Sequence, residues 1–499
     1  MTDVVLLPYD RLSLDHGAMT GAQPSTTEIL IIESEQMLRS RTWHAQRLFL
    51  LLSSAAHVAQ ELRDRGFTVH VVAADSMSAG ITQFRAQRPD ARIRCTEPSS
   101  KASERSLLDC GVELIADDTF LTSRAQFREW AGDRRPLVME TFYRWQRTRL
   151  GILMDAGGPV GSTWNLDKEN RLPPPKGAHP WPTPLHHEPD EIDARVWASI
   201  CARDLPVTGA SPKGTWATTR AGALQQLTHF LDTGLAGFGP YEDAMPADSW
   251  SVNHSLLSPY LNLGLITARE VVNAVIARYE TGDIPLASAE GFIRQVIGWR
   301  EYVNGVYWLF DDDYRHVNAL DATRPLLPLL TDPSRTRMAC AASVVGDVLE
   351  RGWAHHIPRL MILSNLALTS GVRPQEFLDW MKAMFVDAAD WVMVPNVIGM
   401  GLHADAGTMM TKPYASGGAY VKRMGRFCKG CAYDPAKRTG ETACPLTTLY
   451  WDFLDRHRTS FRGNHRMAQQ FAGLDRLSDL DDVRLRAREV LEGLSAGTI

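Results

Sequence analysis

The chain has 499 residues, of which 44% are hydrophobic and 22% charged, with a formal net charge of -5. These proportions are typical of an ordinary soluble globular protein and exclude disordered, collagen-like and disulfide-scaffold classes. Apolar runs stay far below the roughly 20 residues that span a bilayer. The N-terminus lacks the basic segment and cleavage site of a signal peptide. We therefore expect a cytoplasmic protein without membrane contact.

The first part of the chain alternates short apolar runs with amphipathic stretches. The predicted strands are Val4–Pro8, Glu28–Glu33, Thr68–Ala74, Arg92–Glu97, Val112–Ala116 and Leu137–Glu140. A long helix is predicted over Trp43–Arg65, because leucines recur at three-to-four spacing before Gly66. Alternation of strands and helices indicates a doubly wound parallel α/β sheet. The glycine motifs of ordinary dinucleotide and nucleoside-triphosphate sites are missing from this sequence.

A Pro- and Gly-rich passage over residues 157–190 marks a connection between domains. Beyond it strand signals nearly vanish, and apolar residues recur at helical spacing. Buried helical stripes are predicted over Phe292–Phe310, Ile357–Ser370 and Pro374–Phe385. We predict an α/β domain over residues 1–135, a linker over 136–190 and a large all-helical domain over 191–499.

The cysteines carry the most specific local pattern. Cys428, Cys431 and Cys444 fall within 17 residues, and Cys340 is the nearest other cysteine in the helical part. Thiolates at this spacing bind either zinc or an iron–sulfur cluster, and the spacing alone does not separate the two. Buried thiols without a ligand are the simpler alternative.

Two basic stretches interleave with aromatic residues. Residues 406–433 contain Lys412, Lys422 and Arg423 among five basic side chains and no acid, and residues 456–466 add four arginines. Such a surface suits contacts with phosphates together with base stacking. A solvated charged face is the competing interpretation.

Two further motifs contain titratable residues beside helical runs. One of the adjacent His355 and His356 is a candidate proton donor near neutral pH, although a surface or core histidine is the commoner case. The tripeptide Trp299-Arg300-Glu301 places a charged pair beside an apolar stripe, and such pairs are often structural.

Several segments, in order, resemble the photolyase and cryptochrome family. They are His254-Ser-Leu-Leu-Ser-Pro-Tyr-Leu-Asn-Leu-Gly264, Phe292-Ile-Arg-Gln-Val-Ile-Gly-Trp-Arg-Glu-Tyr302, Ala354-His-His-Ile-Pro-Arg-Leu360 and Val386-Asp-Ala-Ala-Asp-Trp-Val-Met-Val-Pro-Asn396. With the four cysteines and Thr411-Lys-Pro-Tyr414, the resemblance narrows to bacterial iron–sulfur cryptochromes and photolyases, which include prokaryotic (6-4) photolyases.

The resemblance implies FAD within the helical domain and a [4Fe-4S] cluster on Cys340, Cys428, Cys431 and Cys444. The residues it assigns to the flavin are His254, Ser255, Leu256, Leu257, Ser258, Gln295, Trp299, Arg300, Asp387 and Asn396. Ser255 and Ser258, with backbone amides at a helix start, suit the pyrophosphate. Asp387 and Asn396 are expected at the flavin ring system.

For function, the resemblance implies light-dependent repair of (6-4) lesions in UV-damaged DNA by a lyase, acting as a monomer. His356, with His355 beside it, is expected to assist proton transfer, while Tyr414 and Asp167 contact the flipped lesion. Arg171, Lys412, Lys422 and Arg423 are expected to contact DNA. The alternative is a blue-light cryptochrome photoreceptor with the same cofactors and little or no repair.

The sequence departs from the family pattern at several positions. Trp380 occupies the flavin-proximal relay position and Trp391 is a possible substitute, but the next two relay positions carry Met381 and Asp332. Loss of these positions favours the photoreceptor alternative. Residues Met37 and Ser40 stand where a lumazine antenna is expected to be contacted, so binding of 6,7-dimethyl-8-ribityllumazine is left open.

Overall fold

The computed structural model describes residues 2–499. Its strands are β1 (Asp3–Leu6), β2 (Thr27–Ser34), β3 (Trp43–His44), β4 (Thr68–Ala74), β5 (Arg92–Thr96), β6 (Glu113–Ile115), β7 (Met154–Asp155), β8 (Gly158–Pro159) and β9 (Val207–Thr208). Five of them form one sheet in the order β4-β2-β1-β5-β6, and every pairing in it is parallel. The central strands are apolar runs because both faces of a parallel sheet are covered.

The helices of the first 150 residues are α1 (Glu35–Leu38), α2 (Ala45–Asp64), α3 (Met77–Gln87), α4 (Lys101–Asp109), α5 (Arg124–Ala131) and α6 (Met139–Leu150). The predicted strand over 137–140 is wrong, because these residues lead into α6. Buried Phe142, Tyr143, Gln146 and Arg147 recur at helical spacing along α6. A three-residue apolar run at 137–139 is too short to outweigh that stripe.

Beyond residue 190 the described chain is helical apart from the two-residue strand β9. The α-helices are α7 (Glu191–Ala202), α8 (Arg220–Thr233), α9 (Leu235–Tyr241), α10 (Ser258–Leu263), α11 (Ala268–Glu280), α12 (Leu286–Ile293), α13 (Glu301–Leu309), α14 (Ala339–Arg351), α15 (Asn365–Ser370), α16 (Pro374–Met384), α17 (Asp390–Val394), α18 (Gly418–Met424), α19 (Pro445–Arg456), α20 (Arg458–Phe461), α21 (Ala468–Leu474) and α22 (Leu480–Ala496). There are three π-helical segments: Arg294–Arg300 joins α12 to α13, Pro358–Ser364 leads into α15, and Pro395–Gly401 follows α17.

The hydrophobic cores tie the two parts of the chain together. Phe127 and Trp130 of α5 and Phe142 of α6 are buried in one cluster with Tyr302 of α13 and the C-terminal helices. The sheet face that carries Val5 and Ile29 packs in a second cluster with α2, α10 and α11. Helices α5 and α6 therefore support the helical part rather than the sheet, and the predicted boundaries at 135 and 190 stay predictions.

None of the helices in residues 2–499 combines the length and the apolar character that a membrane crossing requires.

Candidate functional site

Some of the residues expected to hold a cofactor, and Arg359 in addition, lie on the three π-helical segments. Gln295, Trp299 and Arg300 lie on the first, Arg359 on the second and Asn396 on the third. A π turn adds a residue to a helical turn and shifts the side chains that follow, and it is frequent at functional sites.

Asp387 is the centre of a buried ion pair. Arg359 Nη1 and Nη2 donate to its two carboxylate oxygens at 3.1 and 2.8 Å. Ser258 Oγ donates to the same carboxylate at 2.7 Å, and the Asn262 side chain donates to the backbone carbonyl of Asp387. The fork of a guanidinium fits a carboxylate in two parallel bonds, so Arg359 holds the Asp387 side chain in place. The Ser258 and Asn262 contacts fix α10 against the chain near residue 387.

The Arg300–Glu301 pair is buried beside two aromatic rings. Thr122 donates its backbone N–H to Glu301 at 2.8 Å, and Arg300 lies 3.3 Å from the other carboxylate oxygen. The Arg300 guanidinium lies 3.9 Å from the Phe120 ring centroid and 5.3 Å from that of Trp391. Burial lowers the pKa of Arg300 and raises that of Glu301. We refer to Ser258, Arg300, Glu301, Arg359 and Asp387 as the inner cluster.

The segment before α10 presents its backbone in an unusual conformation. Leu256 has a φ of 57°, in the left-handed region that a branched residue rarely adopts. The Ser255 hydroxyl accepts the backbone N–H of Leu257 at 3.4 Å. Strain of this kind is held in place by surrounding packing and is common where backbone approaches a ligand.

Three histidines meet beside this segment. The rings of His254 and His355 stack with centroids 4.2 Å apart, and the His356 centroid lies 5.4 Å from that of His254. Burial lowers the pKa of both His254 and His355 well below the usual value. His356 is 47% exposed, and its Nε2 lies 3.6 Å from the Asp243 carboxylate. Of the three rings, His356 is therefore the one that can exchange protons with solvent or a substrate.

A second group of charges surrounds Arg294. Its guanidinium lies 2.9 Å from Asp167, 3.5 Å from Glu242 and 3.7 Å from Glu290. Glu290 already accepts a hydrogen bond, because Tyr143 Oη donates to its carboxylate at 2.7 Å. One guanidinium therefore faces three carboxylates and cannot neutralise all of them.

Glu242 is the least well paired of these carboxylates. Its side-chain partners are Arg294 and Gln295, both at 3.5 Å, and only 3% of the residue is exposed. Burial raises the pKa of Glu242 to about 8, with Asp243 and Asp167 acting in the same direction and Arg294 against it. Glu242 is therefore a neutral carboxylic acid near pH 7.

Tyr414 is half-buried near the same group. Burial raises its pKa, the guanidinium of Arg171 acts to lower it, and the carboxylates of Asp167 and Asp243 act to raise it. Arg171 also pairs with Asp167. We name these neighbours the outer cluster; its members are Asp167, Arg171, Glu242, Asp243, Glu290, Arg294, His356 and Tyr414.

The four cysteines of the sequence motif line one small cavity. Its other walls include Met338, Val421, Phe427 and Tyr433. Burial raises the pKa of the Cys428 thiol to about 11, as it raises that of Cys340. Among residues 2–499, no three cysteine Sγ atoms lie within 4.8 Å of one another.

Trp380 is buried on α16 and contacts only redox-inert rings in the part of the chain that the structure describes. Its Nε1 donates to the Leu330 carbonyl at 3.1 Å, and it stacks on Phe377 with centroids 5.6 Å apart. Phe385 is its other ring neighbour, at 5.9 Å. Met381 follows it in the core, and Asp332 is exposed.

The other predicted residues are Asn396, the basic residues expected to contact DNA, and the expected antenna position. Asn396 donates its amide to the Val392 carbonyl of its own helix at 2.8 Å. Lys422 and Arg423 are exposed on α18, with Arg423 5.5 Å from the Tyr420 ring, and Lys412 is half-buried. At the expected antenna position, Ser40 is exposed and donates to the Met37 carbonyl.

Sequence reasoning missed five charged members of the site, namely Arg359, Glu242, Asp243, Glu290 and Arg294. Arg359 lies within the recognised His-His-Ile-Pro-Arg-Leu segment, but its partner Asp387 is 28 residues away. Glu242, Asp243 and Arg294 lie in or beside segments without a charge motif of their own. The one available signal is that Arg294 interrupts the otherwise apolar stripe that begins at Phe292.

Comparisons with known proteins agree with this arrangement. The family model described as deoxyribodipyrimidine photo-lyase-related protein matches residues 5–216. A (6-4) photolyase of Agrobacterium fabrum is 39% identical over 506 residues, which cover 98% of this chain and 98% of that protein.

Solved structures show the same fold. A bacterial class III photolyase from Agrobacterium tumefaciens has a TM-score of 0.58 at 16% identity, covering 99% of this chain and 98% of that chain. A cryptochrome of Synechocystis has a TM-score of 0.53 at 13% identity, covering 85% of this chain and 88% of that chain.

A parallel α/β sheet followed by a large helical part, with these motifs in this order, defines the photolyase and cryptochrome class. The chain belongs to this family. Within it, the chain is similar over its full length to a bacterial (6-4) photolyase.

Membership implies FAD, and the residues present fit that group. Within residues 2–499, His254 Nε2, Arg300 Nε and Trp391 Nε1 are buried without a hydrogen-bond partner. All three belong to segments that the family resemblance assigns to the flavin or its surroundings. Buried donors without a partner are costly, so their concentration here is consistent with a polar cofactor.

Proposed function

We propose that the protein is a light-driven DNA photolyase of the (6-4) type. The observation that carries the proposal is the grouping of His356, Tyr414, Asp167 and Arg171 in the outer cluster, next to the flavin-type segments. A (6-4) lesion is polar and stacked in DNA, so it needs hydrogen-bonding groups and an aromatic wall once it is flipped out. The outer cluster offers both.

The chain's own residues supply positioning and proton transfer. Reduced FAD, when bound, supplies the electron that light drives into the lesion. His356 donates a proton to the lesion as a general acid, because it is the most exposed of the three histidines and Asp243 orients its Nε2. Neutral His254 and His355 pack behind it and add no competing charge.

The exposed basic residues would hold the DNA on either side of the lesion. Lys422 and Arg423 on α18, together with Lys412, offer phosphate contacts beside the outer cluster, and Arg171 pairs with Asp167 at its rim. Phosphate contacts position a duplex without reading its sequence.

We also propose a [4Fe-4S] cluster on Cys340, Cys428, Cys431 and Cys444. The cavity that these side chains share supports it. Four thiolates can also bind zinc, and the family resemblance favours the iron–sulfur group.

The central test is repair of a defined lesion. Chemically reduced, FAD-loaded protein is illuminated with an oligonucleotide that contains one (6-4) lesion, and restored thymines are measured by chromatography. We expect repair by the wild type, near-complete loss in His356→Ala, and no change in His316→Ala, which alters an exposed histidine. Absence of repair by the fully reduced wild type would reject the proposal.

The photoreceptor alternative predicts a different pattern in the same assay. It rests on Met381 and Asp332, which replace relay positions of the family. A protein that binds FAD and photoreduces but leaves the lesion intact would favour it. Repair that depends on His356 would exclude it as the main activity.

The DNA contacts can be tested apart from chemistry. The double variant Lys422→Ala, Arg423→Ala should weaken binding of lesion-containing and lesion-free duplexes alike and reduce the salt dependence by about one unit per lost phosphate contact. Arg484→Ala, which alters an exposed residue paired with Asp455, serves as the control. An unchanged salt dependence of binding in the double variant would mean that Lys422 and Arg423 do not contact the DNA phosphates.

The proposed [4Fe-4S] cluster can be tested by its iron and sulfide content and its visible absorption. Protein purified without oxygen should contain iron and sulfide and show a broad visible absorption beside the flavin bands. Cys428→Ala should lose both, whereas Cys201→Ala, at an exposed cysteine, should keep them. Zinc in place of iron in the wild type would overturn the assignment.

A further inference from the structure

Three neighbouring helices each carry two aromatic residues spaced three apart. The pairs are Phe127 and Trp130 on α5, Phe142 and Trp145 on α6, and Trp299 and Tyr302 across the junction of the first π segment with α13. Residues three apart lie on the same face of a helix. The three helices turn these faces toward one another, so the six rings form one continuous aromatic group.

The redox-active rings of this group form a row. Trp299 and Tyr302 have centroids 6.3 Å apart, Tyr302 and Trp130 6.4 Å, and Trp130 and Trp145 6.4 Å. Phe142 closes the gaps, with its centroid 5.9 Å from Tyr302 and 5.0 Å from Trp130. Each step is therefore a ring-to-ring contact within the range typical of paired aromatic side chains.

The row runs from the candidate site toward solvent. Trp299 lies one residue before Arg300 of the inner cluster and is half-buried, Tyr302 and Trp130 are buried, and Trp145 is half-buried. Trp380, in contrast, meets Phe377 and Phe385 as its only ring neighbours among residues 2–499. The row thus offers the connected path that Trp380 does not.

We propose that Trp299, Tyr302, Trp130 and Trp145 form an electron-transfer chain that feeds the flavin site of this protein from solvent. The proposal rests on the flavin site of the proposed function. It assigns new roles to Tyr302, Trp130 and Trp145.

The electron balance is simple. One electron enters the flavin site from Trp299, and electrons shift inward along the row, so that Trp145 carries the oxidised centre. Trp145 then loses its indole N–H proton to water. A thiol reductant in solution returns one electron and one proton to Trp145, and two such events join two thiols as a disulfide.

Tyr302 passes the charge without retaining it. Its hydroxyl is buried and has no hydrogen-bond partner among the described residues, and burial raises its pKa. An oxidised tyrosine becomes a stable neutral radical only by losing its proton, and Tyr302 lacks an acceptor for it. At the outer end, the Arg149 guanidinium lies 4.9 Å from the Trp145 ring and disfavours a cationic radical there. Deprotonation to solvent follows, which slows the return of the electron.

The test uses oxidised, FAD-loaded, full-length protein without DNA. Under blue light with a thiol present, Trp130→Phe and Trp145→Phe should each photoreduce at a small fraction of the wild-type rate. A tryptophan radical seen by transient absorption after a flash should be lost in Trp145→Phe. Trp197→Phe alters a half-buried tryptophan whose ring contacts Phe49, outside the row, and should behave as the wild type.

Two further measurements make the outcome decisive. Repair by chemically reduced Trp130→Phe and Trp145→Phe should equal the wild type, which separates this chain from the repair chemistry. If Trp380→Phe stops photoreduction while both row variants photoreduce normally, the proposal is wrong. If chemically reduced wild type fails to repair, the proposed function falls, while the photoreduction result still decides the electron path.

Discussion

In the inner cluster each buried carboxylate has a close cationic partner, whereas in the outer cluster three carboxylates face the guanidinium of Arg294, and Asp167 also pairs with Arg171. Asp387 receives both arms of Arg359 and the hydroxyl of Ser258. Glu242 has two contacts at 3.5 Å and a raised pKa. The inner cluster therefore fixes geometry, and the outer cluster stores protons that can be exchanged near neutral pH.

This difference matches the two tasks that a photolyase combines. A cofactor that stays bound needs a rigid frame, and paired charges on π segments provide one. A lesion that enters and leaves needs groups that can change protonation and partners. We expect the two clusters to respond differently when a partner is removed.

The largest effect should come from Arg359→Ala. It leaves the Asp387 carboxylate, which is 6% exposed, without its cationic partner. Removing one partner of a buried pair costs about 3–5 kcal/mol, which should lower the urea midpoint of unfolding accordingly. FAD retention should fall as well.

The matched control is Arg373→Ala, which removes an exposed pair with Glu376. Exposed pairs contribute about 1 kcal/mol or less. If Arg359→Ala and Arg373→Ala shift the midpoint equally, the inner cluster is not the rigid frame described here.

The second prediction concerns Glu242→Gln and pH. The folded pKa of Glu242 lies above its unfolded value, so the unfolded chain releases the proton first as pH rises. The free energy of unfolding of the wild type therefore falls as pH rises from about 4.5 to about 8. The decrease due to Glu242 is at most about 3 kcal/mol at pH 7. The amide variant is neutral throughout and should become progressively more stable than wild type across that window.

The control for Glu242→Gln is an exposed glutamate. Glu188→Gln alters an exposed side chain, and its unfolding midpoint should follow the wild type at every pH. A Glu242→Gln variant that parallels the wild type from about pH 5 to pH 8 would mean that Glu242 is ionised and paired with Arg294.

The sequence predicts the scaffold better than the charges on it. The sheet strands could be located because buried parallel strands are apolar runs, as in β2. The stripe from Phe292 could be identified as helical, but the π turn over 294–300 could not, because an inserted residue leaves the apolar periodicity nearly unchanged. The strand predicted at 137–140 is wrong because a run of three apolar residues is too short to distinguish a strand from the start of a helix.

The outer cluster shows why site residues escape sequence reasoning. Asp167 was expected through the family resemblance, whereas Glu242 was not, because it follows α9 in a segment without a motif. Its burial results from packing against the 294–300 segment, which brings Arg294 and Gln295 within 3.5 Å. Long-range neighbours of this kind are a property of the tertiary structure and leave no local signal.

Ser258→Ala should give the smallest of the three changes in stability. The Ser258 hydroxyl donates to Asp387 at 2.7 Å, but Arg359 still pairs with that carboxylate in the variant. Loss of one hydrogen bond to a charged group costs about 1.5–3 kcal/mol, less than the loss of the guanidinium. Urea unfolding of Ser258→Ala beside Ser106→Ala, an exposed serine, measures it. A cost as large as that of Arg359→Ala would mean that the hydroxyl, and not the guanidinium, keeps the buried carboxylate in place.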